Sequence, residues 1–147
     1  MGELDWDEQG KAANAGLEPL RFLIGEWVGR GESHGDAVNG ALSVQPLLDG
    51  SWLQAEERMH DPDGNQVHSD LAFYRFDAEA ETLEVLQLFD HGHRMNTPVE
   101  MTDNGFRWAT GPGGPRLVFA FDSGSLTYTV ILPGEQAPAV QMTYKRA

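Results

Sequence analysis

The residues best placed for chemistry are His91-Gly92-His93. On a strand, residues i and i+2 project on the same side, and an H-x-H pair can present two imidazoles to zinc, iron or manganese. Such a pair needs a third ligand. The next carboxylate, Glu100, comes too late for a compact local site, so Asp90, His60 or His68 would have to be recruited across strands. The alternative for His91 and His93 is a polar hairpin whose histidines face water. Glu56 and Asp70, on adjacent predicted strands, could do acid–base work, although the Glu56-Glu57 pair reads first as solvated surface. Gly29-Arg30-Gly31-Glu32-Ser33-His34 begins like a dinucleotide-binding fingerprint. It then breaks, with histidine at the third glycine position and a strand where a helix N-terminus should hold phosphate. No G-x-S-x-G elbow is present, and the absence of cysteine excludes a thiol nucleophile, a thiolate metal site and a disulfide framework.

Composition narrows the partners. The chain has 147 residues, 40% apolar and 22% charged, which suits one globular domain with a real core. Its 23 acids against 10 bases give a net charge of −13, which repels phosphate backbones and anionic lipid surfaces. Nucleic acid and membrane insertion are therefore not expected. The N-terminus has no basic stretch followed by an apolar run, and no segment approaches a membrane span, so the expected setting is the cytoplasm.

The elements that must position these residues are mostly strands. Leu17, Leu20, Phe22, Leu23 and Ile24 can share one helical face, which Gly25 ends, predicting a short helical segment over 17–24. Residues 1–16 read as an N-terminal arm, free to fray or packed through Trp6, with a single domain over 17–147. From Gly25 onward, β-branched and aromatic runs predict strands near 26–33, 41–48, 51–60, 66–76, 83–90, 94–102, 105–110, 116–122, 125–132 and 139–146. Leu48-Asp49-Gly50, Asp61-Pro62-Asp63-Gly64-Asn65 and Asp103-Asn104-Gly105 supply hairpin turns between them.

About ten sequential antiparallel strands would leave two long edges open unless the sheet closes, so the predicted fold class is an all-β, up-and-down barrel. A barrel of that size holds a lumen able to take a small ligand unless side chains fill it. His68, Asp70, Ala72, Tyr74 and Phe76 share one face of their strand, and Phe119 and Phe121 share one face of theirs. Alternation alone does not say which face is the lumen.

Four motifs add a resemblance. Gly25-Glu26-Trp27-Val28-Gly29-Arg30-Gly31, Leu48-Asp49-Gly50-Ser51-Trp52-Leu53, Val67-His68-Ser69-Asp70 and Met142-Thr143-Tyr144-Lys145-Arg146 resemble, in order and spacing over 17–147, calycin-type barrels. The likeness is to nitrobindins and related bacterial domains, and the fold it implies is also that of fatty-acid-binding proteins. In such barrels the tryptophan, here Trp27, plugs the narrow end. The resemblance would imply haem chemistry with nitric oxide or peroxynitrite through a histidine of the terminal strand. That ligand is missing, since the last histidine is His93 and the terminal stretch offers Met142 and Tyr144 instead.

No cofactor is therefore expected, and what the resemblance then implies is a small hydrophobic or amphipathic ligand in the lumen, with His68, Tyr74, Phe119, Phe121 and Tyr128 as its contacts. The alternatives are a haem or metal enzyme using His68 or His91, and a barrel filled by its own side chains that serves as an interaction domain. A homodimer through an exposed strand or the Trp6 arm is compatible with each of these readings.

Overall fold

A computed structural model describes residues 6–109 and 114–147. Helix α1 (Trp6–Gly16) leads into a 3₁₀ turn (Glu18–Leu23), and ten strands follow. These are β1 (Gly25–Ser33), β2 (Asp36–Leu47), β3 (Trp52–His60), β4 (Gln66–Asp77), β5 (Thr82–Phe89), β6 (Arg94–Thr102), β7 (Gly105–Ala109), β8 (Arg116–Asp122), β9 (Ser125–Ile131) and β10 (Val140–Arg146). Each strand pairs antiparallel with its neighbours in sequence, and β1 pairs with β10, closing the barrel. Thr110, the expected end of the seventh strand, lies outside the described residues, as do residues 1–5 and the side chain of Trp6. Among the described residues no helix is long and apolar enough to cross a membrane.

Period-two alternation decides which side chains enter the lumen. In β3 the buried positions are Leu53, Ala55, Glu57 and Met59, and in β4 Asp70, Ala72 and Tyr74, so the His68-to-Phe76 face is the inner one. β5 turns Leu83, Val85 and Gln87 inward, and β10 turns Met142 and Tyr144 inward.

One end of the barrel is sealed. Leu17, Leu20 and Leu23 are 0%, 0% and 2% exposed, so burying them contributes roughly 1.5–3 kcal/mol apiece. Trp27 Nε1–H donates to Leu23 O at 2.8 Å, and the Arg146 guanidinium lies 4.1 Å over the Trp27 ring while donating to Ile24 O. The helical segment over 17–24 is thus a plug.

Residues 6–16, expected as an arm, form α1 against β4, with Asn14 Nδ2 donating to Asp49 O and Arg21 Nη2 donating to Asn14 Oδ1. Its sequence has few large apolar side chains to reveal a periodic face. Alanine, glutamate, glutamine and lysine favour helix on backbone grounds alone.

Above the plug the lumen is packed with rings. Phe106 stacks on Phe119 at 4.7 Å, Phe119 on Tyr128 at 4.7 Å, and Tyr74 meets Phe106 and Trp108 edge-on at 5.9 and 6.0 Å. A space of about 20 Å³ remains there, bordered by Glu57, Asp70, Gln87 and Trp108. At the opposite end the barrel is open.

Candidate functional site

Strand register assembles a polar cluster where the ring stack stops. Glu57 on β3 faces Asp70 on β4, and Met59 faces His68. Because His68 and Asp70 are two residues apart on one strand, both point inward, and His68 Nε2–H donates to Asp70 Oδ2 at 2.7 Å. Reaching over the intervening strands β1 and β2, Tyr144 on β10 donates its hydroxyl to Glu57 Oε2 at 2.6 Å. Gly40 on β2 leaves room for this contact, since a Cβ there would lie 2.4 Å from the Tyr144 hydroxyl oxygen. Glu57 and Asp70 are 5% and 8% exposed, whereas His68 is half-buried at the boundary with the open end.

The electrostatics follow from burial. Desolvation and the facing Asp70 charge push the Glu57 carboxyl up to about 8, against the opposing pull of the Tyr144 hydrogen bond and of His68. At neutral pH Glu57 is therefore mainly protonated. The hydrogen bond to Asp70 raises His68 above its ordinary value, overcoming partial desolvation, and favours imidazolium. Burial and the neighbouring carboxylates hold Tyr74 and Tyr128 as neutral phenols, and burial with the Glu57 contact does the same for Tyr144. The cluster thus offers a protonated acid, an imidazolium and neutral hydroxyl groups, the kind of set that can hydrogen-bond a polar head or move a proton.

Over this floor opens a pocket of about 270 Å³ lined mainly by Met59, Met95, Leu117, Val130, Leu132 and Val140, with Phe89 and Tyr128 adding ring surface. Polar groups enter it at His34, His68, His91 and His93. It is a concave, mainly apolar chamber with a few polar groups at its edges, the usual anatomy of a small-molecule site.

The residues anticipated as ligand contacts occupy different depths. His68 and Tyr128 border the chamber, and Tyr128 also borders the smaller space below it. Tyr74 and Phe119 line only that lower space, within the ring stack. Phe121 lies at the sealed end against Phe22 and Trp27, at 5.4 and 6.3 Å, and borders neither space. Sharing a strand face with Leu117 and Phe119 gave it the right direction but not the right depth.

His91 and His93 are exposed on the rim, their rings stacked at 5.9 Å, with His91 Nδ1 3.5 Å from Asp90 Oδ1. Among the described residues the three groups able to share one metal ion are Glu57, His68 and Asp70, so the rim pair is not brought to a third ligand. Glu56 points outward to Arg58 at 2.9 Å, and it is Glu57 that meets Asp70. The solvated-surface reading of Glu56-Glu57 thus fails for Glu57. The available signal was an acid in phase with Leu53, Ala55 and Met59 on an otherwise apolar face.

Compared with family models and with curated proteins, the chain matches none. The site is therefore defined by its own geometry. What that geometry defines as a class is a closed antiparallel barrel with one sealed end and one chambered end.

Proposed function

We propose that the protein binds a small amphipathic molecule in the open end of the barrel. Its apolar body would lie against Met59, Met95, Leu117 and Val130, and its polar head would reach the floor formed by Glu57, Asp70 and His68. The observation that carries this reading is an apolar chamber bordered by His68, whose ring is hydrogen-bonded to the buried Asp70 of the polar cluster. At about 270 Å³ the chamber is near the lower end of the roughly 300–1,000 Å³ typical of ligand pockets, which favours a compact ring system or short chain. The ring stack beneath it leaves no path for a long acyl chain to run down the lumen.

Haem fits this set of residues poorly. Met142 and Tyr144, the terminal-strand side chains, are both fully buried, and the Tyr144 hydroxyl is committed to Glu57. The chamber is also smaller than a tetrapyrrole. In this reading the likeness to nitrobindins extends to the barrel and not to the cofactor. The reading also places the protein in the cytoplasm without a nucleic-acid partner.

The test is fluorescence titration with Nile red, an uncharged probe chosen because the chain carries a net charge of −13. Saturable enhancement is expected for the wild type, with loss of at least tenfold in affinity for Val130→Trp or Leu132→Trp, each of which fills the chamber. Circular dichroism confirms that the variant tested is folded. A non-saturating wild-type response, or a folded filled-chamber variant that binds as well as the wild type, would overturn the proposal.

A further inference from the structure

Glu57 and Asp70 stand directly opposite one another in register, both almost fully buried. Two ionised carboxylates in that arrangement would repel, so without a counter-ion Glu57 keeps its proton, whereas buried charges are ordinarily paired or bound to a metal. His68 supplies one cation for two carboxylates, and Tyr144 supplies only a neutral hydroxyl. One ligand atom from each of Glu57, His68 and Asp70 lies within 4.8 Å of the others. His68 Nε2 and Asp70 Oδ2, 2.7 Å apart in a hydrogen bond, would exchange the shared proton for the ion and separate to the roughly 3.0–3.4 Å of neighbouring ligand atoms around an ion held at about 2.1 Å.

A second observation comes from a different strand. Gln87 is 2% exposed, yet its side-chain oxygen has no hydrogen-bond partner, and it borders the same small space as Glu57 and Asp70. The indole nitrogen of Trp108, bordering that space too, is likewise without a partner. Buried polar atoms left unpaired are rare, and each calls for a cause. A bound cation would employ the Gln87 oxygen directly, while Trp108 could donate to an oxygen that the ion carries.

We propose that Glu57, Asp70 and His68, with Gln87 as a fourth donor, form a divalent-cation site at the floor of the chamber. Three oxygens and one imidazole suit zinc, manganese, ferrous iron or cobalt, and the absence of sulfur disfavours cuprous copper. His68 also borders the chamber, so an ion held here would lie beside it. The inference does not depend on what organic molecule the chamber takes.

The test uses the full chain, stripped with chelator and titrated with Co²⁺, followed by visible absorbance and by calorimetry. One Co²⁺ per chain is expected, with d–d bands from a low-symmetry site. His68→Gln is expected to weaken binding at least tenfold, Asp70→Asn by at least as much, and Gln87→Leu severalfold. His68 is half-buried at the edge of the core, so His68→Gln stays informative if Asp70→Asn does not fold. The His91→Ala/His93→Ala double variant is expected to bind Co²⁺ as the wild type does. Absence of saturable binding, or binding lost in the double variant and retained in His68→Gln, would overturn the proposal. Nile red titration without metal tests the organic chamber separately.

Discussion

Glu57→Gln is expected to flatten the pH dependence of stability between about pH 6 and 8, a window in which the ordinary carboxylates of this acidic chain are already ionised in both folded and unfolded states. Glu57 ionises near 4.5 when unfolded and near 8 in the barrel. Between those values the folded state binds more protons, so stability falls as pH rises. The contribution is fully present below 4.5 and is lost as pH climbs through 8. At most about 1.4 kcal/mol per pH unit is involved, on the order of 2–3 kcal/mol across the window.

The groups facing Glu57 are Asp70 and His68 on β4, Tyr144 on β10 and, further off, Tyr74 and Tyr128. The tyrosines stay neutral in this range, and His68, whose folded value is also raised, contributes in the same direction as it loses its proton. Glutamine keeps an oxygen for Tyr144 but cannot ionise. Urea unfolding in chelator at pH 6 and pH 8 should therefore show a steep fall for the wild type and a shallower one for the variant, the remainder belonging to His68. Parallel profiles would mean that Glu57 is not the buried acid described.

Gly31→Ala should be the most damaging small substitution in the barrel wall. A Cβ at Gly31 would lie 1.9 Å from Gln141 O and 2.8 Å from Met142 Cα, both backbone atoms of β10 that no side-chain rotation can move. The affected pairing is the β1–β10 seam that closes the barrel and carries Met142 and Tyr144 into the lumen. Relief requires the seam to part, at a cost on the order of 2–4 kcal/mol. It would also draw Tyr144 away from Glu57.

The contrast is Gly10→Ala in α1, where nothing lies within 4 Å of the added carbon and the helical backbone gains from alanine. That change should be neutral or stabilising by up to about 1 kcal/mol. Thermal melts of the two variants beside the wild type measure both effects. Gly31→Ala melting with the wild type would contradict the seam described.

The strand layout was legible because each strand carries period-two alternation and each turn carries its own chemistry, both local signals. The helical segment over 17–24 was legible from the apolar face of Leu17, Leu20 and Leu23, whereas its sealing of one end was not. Helix α1 was not, because its backbone propensity outweighs a weak apolar pattern. At the site, His68 could be picked out as a handle, but its partners could not. Tyr144 reaches Glu57 across 87 residues of chain, a contact that exists only once β1 and β10 have closed the sheet. Phe121 shows the complementary gap, since alternation reports direction into the lumen and is silent on distance along it.

The central claim, an organic ligand in the open chamber, is tested most directly by methionine-methyl NMR during titration with Nile red. Met59 and Met95 line the chamber, Met142 is buried without bordering it, and Met101 is 37% exposed away from it. The account predicts saturable ring-current shifts at Met59 and Met95, with Met101 unmoved. Shifts at Met101 with Met59 and Met95 unmoved, at probe saturation, would place the binding surface outside the barrel and contradict it.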